Sequence, residues 1–91
     1  MFGGLVSPVL AAPVSQSDVQ RHYDLIETVA RNGTTVFINH PHCSTEEGLS
    51  GFYLPGPNIL VICQDNGNAD GEIVEWTAND LDTIRHETQH M

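Results

Sequence analysis

Lysine is absent from this 91-residue chain, and three arginines stand against twelve Asp and Glu for a formal charge of −9. A surface with so few cations cannot neutralise a phosphate backbone, so nucleic-acid binding and adhesion to anionic membranes are excluded as primary functions. No apolar run approaches the roughly 18 residues needed to cross a bilayer, which excludes a spanning helix. Disorder is excluded in its turn, because 40% of the residues are hydrophobic and only 16% are charged. There is one tryptophan and there are two cysteines. The length allows a single small core and leaves no room for a second domain. What is plentiful is histidine, five in all, with two close pairs at His40/His42 and His86/His90.

The first fourteen residues form an apolar arm without a charge, ahead of a single domain over 15–91. Ala11-Ala12-Pro13 has the small-residue character of a signal-peptide cleavage region, but no cation precedes Arg21 and Pro8 interrupts the run. An extended arm packed on the body or on a neighbour is the simpler expectation. Cys43 and Cys63 could close a disulfide, and closure would contribute about 3 kcal/mol in the chain-entropy model. Their spacing does not decide whether they pair. Together with the acidity they lean towards an extracytoplasmic or secreted setting.

Beyond the arm, Ser15 and Ser17 offer N-caps, while Val19, Tyr23, Ile26 and Ala30 recur at helical spacing until Asn32-Gly33. This predicts a helix from about Ser17 to Asn32. The β-branched run Thr34 to Asn39 predicts a strand, and His40 to Ser50 a loop. Gly51 to Leu54 and Asn58 to Cys63 flank Pro55-Gly56-Pro57, which predicts a hairpin whose second arm is fully buried. Gln64 to Gly71 reads as a turn-rich acidic loop that lacks the spacing of a calcium-binding loop. Glu72 to Trp76 reads as one more short strand. Phe52 and Tyr53 read as packing residues of the hairpin rather than as site residues.

Thr77 can cap a final helix with Asp80 three residues on, and Trp76 and Leu81 stand at the positions of a hydrophobic staple. The helix therefore begins at Ala78. At about 100° per residue, Leu81, Ile84, Thr88 and Met91 share one side, and His86 and His90 lie roughly opposite Leu81. The fold class expected is α+β: a small twisted sheet with a β-hairpin, packed by an N-terminal helix and a C-terminal helix.

On that last helix His86-Glu87-Thr88-Gln89-His90 reads His-Glu-x-x-His. Histidines four apart stand one above the other and can bind one zinc ion, with the intervening glutamate placed as general base. The metal would lower the pKa of its water towards 7 and stabilise the developing oxyanion. His40, His42 and, if reduced, Cys43 are the internal candidates for further ligands.

Through this motif, and through the order helix, strand, hairpin and motif helix, the chain resembles the front part of a zincin-type metallopeptidase. The resemblance implies Zn²⁺ held by His86 and His90, Glu87 as catalytic base, and a peptide or protein substrate aligned by an edge strand of the sheet. One departure stands out. A catalytic zinc takes a third protein ligand, which in that superfamily lies downstream of the motif, whereas this sequence stops at Met91. The expectation is a peptidase domain cut short within its motif helix and inactive as it stands. Two rivals are carried forward: a non-enzymatic assembly or interaction module burying Leu81, Ile84 and Met91 on a partner, and a structural metal site shared across a homo-oligomer interface.

Overall fold

The computed structural model describes residues 14–89 and 91. The apolar arm and its signal-peptide-like stretch lie outside the described residues, apart from Val14, which packs on the core. The architecture is α+β, with two helices and a three-stranded mixed sheet.

Helix α1 spans Gln16–Arg31. Of the two serines on offer Ser15 is the cap, its hydroxyl accepting from the Asp18 amide at 3.1 Å. The chain leaves α1 through Asn32 and Gly33, whose φ of +104° is a conformation that glycine enters without strain. Strand β1 (Thr35–Ile38) follows, then a 3-10 turn (Pro41–Ser44), β2 (Gly51–Leu54), β3 (Ile59–Ile62) and helix α2 (Ala78–Gln89). β3 is central, parallel to β1 and antiparallel to β2. Asn58 ties the hairpin tip to the entrance of β1, since its Oδ1 accepts from Tyr53 Oη at 2.8 Å and from Thr34 Oγ1 at 2.9 Å.

The register divides the sheet into two faces. Val36 and Tyr53 stand opposite Leu60, and Ile38 stands opposite Ile62. These inner residues pack with Trp76, Leu81, Ile84 and the apolar stripe of α1. Phe37, Phe52, Leu54, Ile59 and Val61 belong to the other face by strand alternation. Leu60, Val61 and Ile62 are buried as expected, whereas Ile59, beside the hairpin tip, is half-buried. Trp76 donates its indole N–H to Tyr23 Oη at 3.0 Å and meets that ring edge-on at 5.6 Å. The residue placed as a staple at the start of α2 thus also joins α2 to α1.

Glu72 to Trp76 is not a strand, contrary to the expectation, and the reason lies in two buried amides. Gln64 exchanges two hydrogen bonds with the backbone of Val74, each 2.8 Å, and Asn39 donates to the carbonyl of Glu72 at 2.7 Å. Asn39 also donates to Gln64 Oε1 and accepts the Gln64 amide, both at 2.8 Å. Backbone groups that a ladder would satisfy are satisfied by side chains instead.

The capping box of α2 forms as read: the Thr77 amide donates to Asp80 Oδ2 at 2.9 Å, and the Asp80 amide donates to Thr77 Oγ1 at 3.1 Å. The other carboxylate oxygen of Asp80 accepts the Asp65 amide at 2.8 Å, so the acidic loop is anchored to the helix start. Asp80 is 1% exposed. Asp80→Ala would leave two amides in this nearly dry corner without acceptors, which predicts a loss of about 2–4 kcal/mol in denaturant titration.

Burial pushes the Asp80 carboxyl above its ordinary value of 3.8, against the pull of the amides that favour the anion. Between 3.8 and the higher folded value the folded chain holds more protons than the unfolded one. The contribution of this group to stability is therefore full below that window and falls as pH rises through it. Asp80→Asn should flatten that slope in unfolding titrations on the acid side.

Candidate functional site

The start of β2 is pressed against α2. A Cβ at Gly51 would lie 2.7 Å from the Val61 carbonyl oxygen and 2.9 Å from Thr83 Cγ2, so only glycine allows this approach. Gly51→Ala should cost about 1–3 kcal/mol by overpacking, checked by thermal unfolding. Further along, Met91 shares a hollow of about 480 Å³ with Tyr53 and Pro55. Strand β2 thus runs beside α2 in the same direction, from Thr83 to Met91. It forms one edge of the sheet, and its outer side pairs with no strand among the described residues.

Two of the motif residues, His86 and Glu87, lie on the described part of α2 beyond Thr83. Glu87 lies one turn beyond Thr83, about 40° away around the axis, and is half-buried; His86 lies about 60° to the other side and is exposed. His90 lies outside the described residues, so the pairing of the two imidazoles rests on their separation of four. Leu81 and Ile84 are buried in the core, at 4% and 1% exposure. The side of α2 expected to dock a partner is consequently used within the domain, and of the three residues named for docking only Met91 is exposed.

The second histidine cluster is placed elsewhere. Cys43 is bonded to Cys63, which fastens the 3-10 turn to the end of β3 and removes the thiolate as a ligand. His40 and His42 sit on that turn rather than on a strand end. The ring of His40 accepts the His42 amide at 3.0 Å and meets Phe37 edge-on, while His42 meets Phe52. Both line an apolar hollow of about 320 Å³ with Phe37, Phe52, Leu54 and Val61. That hollow is on the outer face of the sheet, and α2 packs on the inner one. The strands therefore separate His40 and His42 from Glu87, and neither can complete a metal site on α2 in this fold.

Among the described residues no three His, Cys, Asp or Glu side chains are gathered to hold a metal, a statement that leaves His90 aside. No helix among them is long and apolar enough to cross a membrane. Asn39 and Gln64 shape the approach to α2, and hydrophobic patterning could not reveal them because they are polar and buried. No family model matches this chain, nor does any curated protein or solved structure.

Proposed function

We propose that this is a zinc-dependent peptidase-like domain acting on extended peptide, with His86 and His90 as ligands and Glu87 as general base. The observation that carries the reading is the placement of the motif. Glu87 lies one turn beyond Thr83, the residue of α2 that meets the start of β2, and β2 is the edge of a sheet. An extended peptide adding to that edge would use main-chain hydrogen bonds for alignment, which suits a substrate recognised by its backbone.

Imidazoles four residues apart in sequence would supply two of the four positions of tetrahedral zinc if the helix continues, and the exposure of His86 lets an ion reach it. The donor set therefore fits zinc as part of a site, with further ligands required. Zinc, when bound, supplies Lewis acidity that makes water a better nucleophile and polarises a carbonyl. The carboxylate of Glu87 accepts the proton of the attacking water and returns it to the leaving amine.

Glu87→Gln separates base from ligand. Zinc retained at the wild-type level supports these roles, and loss of zinc from that variant contradicts them.

One observation favours a second reading, an interaction module. The outer sheet face leaves Phe37 and Leu54 exposed at 38% and 43%, both lining the apolar hollow that His40 and His42 border. Such a module would self-associate or bind a partner through this face and keep its solution behaviour when metal is stripped. A metal site shared between two copies would instead lose its dimer on chelation.

A further inference from the structure

One buried side-chain atom among the described residues has no hydrogen-bond partner, the Nε2 of His22. His22 is 6% exposed, on a helix otherwise read for its apolar stripe. Its other ring nitrogen contacts the Asp18 carbonyl at 2.6 Å. A carbonyl can only accept, so Nδ1 carries the proton and the ring is held in one orientation. Nε2 lies on the opposite edge of that fixed ring. His22 lines a cleft of about 490 Å³ between α1 and α2, together with Arg21, Asp24, Leu25, Thr28 and Arg85.

The cation content of this cleft is out of proportion to the chain. With three cationic side chains in the whole sequence, two of them are at this opening, one from each helix. Asp18 holds Arg21 and Asp82 holds Arg85, each from its own helix, and Asp24 accepts from Gln20 at 3.0 Å. Both ion pairs are solvent-exposed, the kind that water and salt loosen at little cost. Each guanidinium has five donors, so a pair with one carboxylate leaves several for a second acceptor.

We propose that the α1–α2 cleft is a binding site for a small tetrahedral oxyanion, held by the guanidinium groups of Arg21 and Arg85 and by His22 donating from Nε2. This goes beyond the peptidase reading and does not depend on it, since the cleft is lined by Arg85 and residues of α1 and by none of the described motif residues. Bound anion favours the doubly protonated ring, in which Nδ1 still donates to Asp18 and Nε2 donates to the ligand. The charged groups around the ring are Asp18, Arg21 and Asp24 from α1 and Arg85 from α2.

The test is titration of the full chain with inorganic phosphate, following the ¹⁵N resonances of the His22 ring, with sulfate as a second arm and chloride at matched ionic strength as control. Saturable movement of Nε2 with phosphate or sulfate is expected, and little with chloride. Arg85→Gln, on an exposed residue, should weaken phosphate binding by roughly tenfold or more, and His22→Gln by roughly ten- to a hundredfold. An unmoved Nε2, a chloride response equal to that of phosphate, or unchanged affinity in Arg85→Gln would each overturn the assignment. Response to sulfate as well as phosphate marks a general oxyanion site, and response to phosphate alone a selective one; both sustain it.

Discussion

Reducing the disulfide between Cys43 and Cys63 lowers the stability of the domain by about 3 kcal/mol, which for a chain of this size moves the thermal midpoint down by roughly 10–20 °C. The bridge spans a sequence separation of 20, and it closes the stretch containing the 3-10 turn, the hairpin and the acidic residues Glu46 and Glu47. Without it, that stretch has its ends held only by the sheet and by the amide clamp of Asn39 and Gln64. A core this small has little to spare: five buried residues form its centre. Thermal unfolding followed by circular dichroism, with and without reductant, measures the effect. A Cys43→Ser, Cys63→Ser double variant should match the reduced protein or fall slightly below it, because a serine hydroxyl at the buried position 63 needs a partner. A midpoint that reductant leaves in place would show that the link contributes nothing.

Replacing His86 or His90 with alanine should weaken zinc binding by more than about 100-fold, since even groups that only support a ligand cost about 10- to 100-fold when removed. Thr88→Ala is the control on the same helix. Its hydroxyl is bonded back to the Ile84 carbonyl at 2.8 Å, so the change touches the helix without touching the metal. Competition against a chromophoric chelator reads all three affinities. Equal affinities in the three variants would mean that zinc, if it binds, binds elsewhere.

Local signals carried the elements whose causes are local. The Thr77–Asp80 capping box fixes the start of α2, Asn32-Gly33 ends α1, and Pro55-Gly56-Pro57 turns the hairpin, each within a handful of residues. What escaped depends on distant partners. The parallel pairing of β1 with β3 decides which sheet face receives Phe37, and hence that His40 and His42 lie across the sheet from α2. No spacing rule links that loop to the helix. The segment before Trp76 reads as a strand through its β-branched pair Ile73-Val74, yet Asn39 and Gln64 take its hydrogen bonds, a result of two polar residues 25 apart becoming buried together. His22 was hidden in the same way, being a polar residue on a buried stretch of an amphipathic helix.

The candidate site divides along the same line. Its motif is contiguous and was visible as five letters, whereas its setting beside β2 comes from Gly51 meeting Thr83, a contact made only once the sheet has formed. In sequence, Gly51 is only the first residue of a hairpin arm. In the fold it is the point at which the edge strand settles onto the motif helix.

The most direct measurement is the zinc content of the purified chain together with its mass in solution, before and after treatment with chelator. The account predicts about one zinc per monomer, removed by chelator without change in mass and absent from His86→Ala. A chain that takes up no zinc at all, or one that holds half an equivalent and falls from dimer to monomer when the metal is stripped, would contradict it.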